Sequence, residues 1–99
     1  MKERKNQLLS LKNVGPATYQ DLKILGIHTI KKLSTCHPDE LYIRLQAITE
    51  RAHDPCVWDV FAAIIHEART GEKQPWWHWT PIRKKRQAAD KFPKVFSAC

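Results

Sequence analysis

The 99-residue chain holds only three glycines and three cysteines, and no apolar run approaches the roughly 20 residues needed to cross a bilayer. Each shortage excludes something. Cys36, Cys56 and Cys99 cannot make an even disulfide framework, so reduced thiols are expected. The opening MKERKNQLLSLK has no signal-peptide core, so a cytoplasmic location with no membrane partner is expected. No segment alternates in the manner of a strand. A length of 99 residues, 42% of them hydrophobic, suffices for one small domain with a modest core, and not for two.

What is present is helical periodicity. Helices are predicted over 3–12, with Leu8, Leu9 and Leu11 inward, and over 16–25, where Tyr19, Leu22, Ile24 and Leu25 recur. A short third helix covers 29–35 with Thr29 as N-cap and Ile30 and Leu33 inward. The fourth opens at Pro38-Asp39-Glu40, carries Leu41, Leu45 and Ile48, and runs to about Ile48. The fifth starts at Asp54-Pro55 and ends at Gly71. It is the strongest: Val57, Phe61, Ile64 and Ala68 form an apolar stripe thickened by Trp58, Val60 and Ile65, a spine for the shorter helices.

Beyond Glu72 no period is clear, and Pro75, Pro81 and Pro93 predict an extended tail lying on the body, with a short helix over 83–91. The fold class is therefore all-α: a compact five-helix domain over 1–71, followed by a Trp-rich, basic tail over 72–99, packed on the domain or partly flexible.

The chain is organised around residues 11–33, LKNVGPATYQDLKILGIHTIKKL, where two helical segments flank Asn13-Val14-Gly15-Pro16. Gly15 can take positive φ, Pro16 lacks an N–H and has a preset φ, and Gly26 sits where a left-handed cap belongs. The stretch looks like a helix-hairpin-helix (SAM-like) motif. Such a turn presents backbone N–H groups at the positive end of a helix dipole, a site for a phosphate oxygen. Lys12, Asn13, Val14, Gly15, Ala17 and Thr18 are the expected nucleic-acid contacts. Asn13 stands where such hairpins commonly carry glycine, a departure that Asn tolerates better than other side chains do.

The net charge of +7 is concentrated at the ends. Residues 1–12 hold +3, residues 80–99 hold +5, and residues 13–79 hold −1. Lys2, Arg4 and Lys5 near the hairpin, and Arg83, Lys84, Lys85 and Arg86 in the tail, are expected to support phosphate binding from a solvated face. Trp76, Trp77 and Trp79 read as anchors covering a helical face rather than as a platform for stacked bases.

Two strings resemble chemistry and read better as structure. In His53-Asp54-Pro55-Cys56, Asp54 caps, Pro55 starts the helix and Cys56 is a small hydrophobe, with no third catalytic member. Cys36-His37 and His53/Cys56 lack the paired spacing of a zinc knuckle. No enzyme activity, metal or cofactor is expected.

LKNVGPAT..DL..LGI.TI..L, then PDELY.RL, HDPCVWDVF.A.I..AR and PWW.W together resemble the Cdd1, or pathogenicity-locus, family of small bacterial helix-hairpin-helix proteins, often labelled mitomycin resistance proteins. The resemblance implies a fold rather than a function. The hairpin is also similar to helix-hairpin-helix portions of two C-terminal domains, that of the RNA polymerase α polypeptide and that of TfoX, which leaves DNA and protein contacts both open. The expected function is sequence-independent binding of nucleic acid, DNA ahead of RNA, with a homodimer or protein partner supplying a second contact. The alternative is a protein-interaction adaptor with a purely structural hairpin.

Overall fold

The helix-start residues do most of what the sequence promises. In a computed structural model that describes residues 6–93, six α-helices form: α1 (Asn6–Leu9), α2 (Pro16–Ile24), α3 (Ile30–Ser34), α4 (Pro38–Thr49), α5 (Cys56–Thr70) and α6 (Thr80–Ala88). A 3-10 helix, Trp76–Trp79, precedes α6, and no strand occurs among the described residues. Thr29 Oγ1 accepts from the Lys32 N–H at 3.0 Å and so caps α3. At α5, Asp54 Oδ1 accepts from the Cys56 N–H at 2.8 Å and Gly71 closes the helix at φ 81°. The α2 end is a complete Schellman turn: Ile27 N donates to Leu22 O, and Gly26 N to Lys23 O, with Leu22 and Ile27 both buried.

α5 is the spine. It packs against α3, α4, α6 and the 3-10 helix, and Trp58, Phe61, Ala62, Ala63, Ile64 and Ile65 are all buried. Leu8, Leu22, Leu33, Leu41, Tyr42 and Leu45 complete one core around it. The radius of gyration, 13.3 Å, matches the roughly 13 Å of a single domain this long.

Three apolar residues expected inward are exposed instead: Leu9, Ile24 and Ile48. α1 is a single turn, so the neighbours Leu8 and Leu9 cannot both face the core, and Leu8 does. Ile24 lies round the helix from Leu22 and Leu25, which are buried. In α4 the buried face is centred on Tyr42 and Leu45 with Gln46, which leaves Ile48 at its edge.

Residues 72–93 are more helical than their prolines suggested, and the 3-10 helix and α6 pack against α5. Pro75 precedes the 3-10 helix and Pro81 occupies the first turn of α6, where a missing N–H costs nothing. The short helix expected over 83–91 lies over Thr80–Ala88, the sixth α-helix after the five within residues 6–70.

Candidate nucleic-acid interface

The α1–α2 turn is clamped from below. Leu11 and Val14 are buried, and the Val14 N–H donates to Leu11 O at 3.2 Å. The Lys12 N–H donates to Glu67 Oε1 at 3.0 Å, and Lys73 Nζ donates to Glu67 Oε2 at 2.7 Å, so a buried α5 carboxylate ties the turn to the spine. Asn13 Nδ2 donates to Gln74 O at 2.7 Å, pinning the turn to the segment before the 3-10 helix. Sequence reasoning missed Glu67; its signal was an acid two residues after the apolar run ending at Ile65.

Gly15 does not use positive φ. It is extended (φ −98°, ψ −172°) as the N-cap of α2, with no side-chain cap, and its carbonyl accepts from the Tyr19 N–H at 2.9 Å. The turn closes through Leu11 and the clamps, so the backbone has no need of a left-handed residue here. A Cβ at Gly15 would meet nothing within 4 Å. The amides of Ala17 and Thr18 lie in the first turn, ahead of any intrahelical acceptor. The expected contacts thus divide. Lys12, Gly15 and Ala17 are exposed and Thr18 is half-buried, whereas Val14 is buried and the Asn13 amide is occupied by Gln74.

The two arginines of the tail's basic run do not lie on a solvated face, contrary to expectation. Arg83 is buried and forms a two-point ion pair with the fully buried Asp59: Nε to Oδ1 at 2.8 Å, Nη2 to Oδ2 at 3.1 Å. Thr80 Oγ1 adds a third bond to Asp59 Oδ2 at 2.7 Å. Arg86 grips Asp39 through Nη1 and Nη2 at 2.9 and 2.7 Å, and its guanidinium lies over the rings of Trp58 and Phe92 at 5.6 and 5.8 Å. Bonding to Arg86 holds the Asp39 carboxyl below its ordinary pKa, and both arginines are pushed up by their carboxylate partners. Each guanidinium is held by a carboxylate of the body and ties α6 to it. Lys84 and Lys85 are exposed. Lys2, Arg4, Lys5 and Cys99 lie outside the described residues.

Trp79 packs on the core as an anchor should, Trp76 is half-buried, and Trp77 is 61% exposed. His53 and Cys56 are engaged separately. His53 Nε2 lies 2.9 Å from Thr49 Oγ1, its N–H donates to Gln46 Oε1, and its carbonyl accepts from the Tyr42 hydroxyl at 2.6 Å. Burial pushes the Tyr42 hydroxyl up to about 12. Burial, together with a hydrogen bond to Asp54, also raises the Cys56 thiol, so the protonated form is favoured at neutral pH. Cys36 is buried, with Sγ 3.3 Å from Lys32 O. Among the described residues no group of three or more His, Cys, Asp or Glu side chains is arranged to hold a metal ion, and no helix is long and apolar enough to cross a membrane.

Comparison with known proteins gives two matches. A family model described as "Cdd1: Pathogenicity locus" matches residues 1–85. A Streptomyces lavendulae protein named "Mitomycin resistance protein McrB" is 34% identical over 85 residues, covering 86% of this chain and 81% of the relative. No solved structure matches.

Proposed function

This chain belongs to the pathogenicity-locus (Cdd1) family, and from that premise we propose that it binds nucleic acid, duplex DNA ahead of RNA, through a helix-hairpin-helix that contacts phosphate without reading sequence. The observation that carries this reading is the start of α2. Gly15 leaves open space where a side chain would stand, the Ala17 and Thr18 amides lead the helix, and the Lys12 side chain is exposed beside them. Backbone donors and a flexible lysine fix position on a phosphate chain and carry no base information. A single hairpin binds weakly, so a second copy or a protein partner would supply the other half of a duplex contact. The net charge of +7 favours a polyanionic target.

A second reading, a protein-interaction adaptor, is favoured by one feature. Trp77 and Ile82 are large apolar side chains left 61% and 42% exposed near the chain's aromatic cluster.

The test is fluorescence anisotropy of a labelled random duplex at low and moderate salt, with Gly15→Asp alongside. Because Gly15 is extended and unobstructed, Asp fits there without strain and caps α2, so the variant should keep its helical circular dichroism. Micromolar binding that falls with salt at a log–log slope of about −0.9 per contacted phosphate, and that Gly15→Asp abolishes, is the expected result. Salt-insensitive or absent binding by the parent protein would transfer the function to the adaptor reading.

A further inference from the structure

A pocket of about 270 Å³ opens between the start of α4, one side of α5, the 3-10 helix and α6, and no residue of the α1–α2 turn lines it. Its walls are apolar and aromatic: Trp58, Ala62, Ile65 and Trp79. Two further facts give it a chemical preference. The Nε1–H of Trp79 is buried and has no hydrogen-bond partner among the described residues, whereas the Trp58 Nε1–H is satisfied by Asp39. A buried donor left open is unusual and marks a place for an acceptor. The second fact is charge. No carboxylate lines the pocket, and Arg69 at its edge is held only by main-chain oxygens, Ser34 O at 2.8 Å and Cys36 O at 2.7 Å. The other arginine there, Arg86, is matched by Asp39. The Arg69 charge therefore has no carboxylate partner among the described residues.

We infer that this pocket binds a small planar aromatic carboxylate: ring system against the wall formed by Ala62, Ile65 and Trp79, an acceptor oxygen on the Trp79 Nε1–H, and the anionic charge toward Arg69. The volume suits one or two fused rings, since a dry cavity of about 150 Å³ accepts benzene and drug-sized pockets begin near 300 Å³. Charge selects anions over cations and the open donor selects acceptors over hydrocarbons.

The probe is 2-naphthoate, titrated into the ¹⁵N-labelled full chain while the four tryptophan indole N–H signals are followed. Trp79→Phe identifies the Trp79 signal. That signal should move saturably, with a Kd of about 1 mM or tighter at ordinary ligand efficiency. The neutral 2-naphthylmethanol should bind more weakly, and 2-naphthylmethylammonium at least about tenfold more weakly. Arg69→Gln should erase the difference between acid and alcohol while the alcohol still binds. Should Trp79→Phe fail to fold, Ile82→Glu, an exposed change at the pocket edge, should weaken naphthoate with helical circular dichroism retained. A Trp79 signal that stays still at millimolar naphthoate, equal movement of all four indoles, or an ammonium probe that binds as well as the acid would overturn the inference. None of these outcomes depends on whether the α2 amides bind phosphate.

Discussion

Two basic clusters of similar appearance in the sequence have opposite fates. Lys12 at the α1–α2 turn keeps its side chain in solvent, its place fixed through its backbone N–H on Glu67. In the run Arg83 to Arg86, the two arginines are consumed by acids, Asp59 on α5 and Asp39 on α4, and only the two lysines between them remain exposed. The difference comes from helical spacing. Positions 83 and 86 share one face of α6, which is turned to the body, and 84 and 85 lie on the other. Guanidinium forks also match carboxylates at two points, which a lysine ammonium cannot do. A basic run on a helix is thus two populations, and spacing from a buried acid separates them.

The strongest way to break the comparison is Arg83→Ala. It leaves Asp59, fully buried and bonded also to Thr80, without its cation, and should cost about 3–5 kcal/mol in urea unfolding. That is a large part of the roughly 5–15 kcal/mol a small domain possesses. Converting both partners to apolar residues, Arg83→Met with Asp59→Leu, should recover most of the loss, because the cost lies in an unpaired buried charge. Equal instability of the single and double variants would show that the pair's geometry, not its charge balance, holds α6 in place.

Asp39 is the milder case, since its pair with Arg86 is partly exposed. Its folded pKa is depressed below the ordinary 3.8, chiefly by the Arg86 hydrogen bonds, so the stabilisation is present above the unfolded value and lost as pH falls through the folded one. Unfolding free energy should accordingly decline as pH drops below about 4. Asp39→Asn should cost about 1 kcal/mol at neutral pH and flatten that acid limb. An unchanged acid limb in the variant would assign the acid sensitivity to other carboxylates.

How much of this was legible in advance follows from what each element buries. α5 announced itself because its apolar residues recur at helical spacing, and the start of α3 and the end of α5 fall at Thr29 and Gly71, whose capping chemistry is local; α5 opens at Cys56, one residue later than Asp54-Pro55 suggested, with Pro55 in the N-cap place. The combination of the hairpin string, HDPC and the tryptophan cluster identified the family. α6 gave little signal for a physical reason: its one buried side chain is Arg83, so its inward face carries a charge where a periodicity argument looks for an apolar residue. The partner Asp59, an acid between Trp58 and Val60 in the most apolar helix, was the available clue. Gly15 misled in the other direction. A glycine before proline suggests a left-handed turn, whereas here the turn is closed by buried Leu11 and Val14 and by two long-range hydrogen bonds that no local rule contains.

A smaller effect is expected at Gly15. An aspartate N-cap at the dipole's positive end should raise stability by a few tenths to about 1 kcal/mol while removing any phosphate affinity, so stability and binding move in opposite directions. Loss of binding together with loss of stability would mean that the variant had merely damaged the turn.

The smallest effects belong to the exposed lysines, and they sharpen the contrast furthest. Lys12→Ala, Lys84→Ala and Lys85→Ala should each change stability by less than about 0.5 kcal/mol, because none has an acidic partner among the described residues. Their difference should surface only in the salt dependence of duplex binding. Lys12 lies beside the α2 amides, and its loss should lower the log–log slope by about 0.9, the signature of one phosphate contact. Lys84 and Lys85 sit on a helix whose inward face is locked to Asp59 and Asp39, so their reach is set by α6 rather than by the α1–α2 turn. A slope unchanged in both tail variants would confine the interface to the hairpin end; a slope lowered by each would mean that a duplex spans α2 and α6 together, and that the arginine locks hold the second half of the binding surface in register.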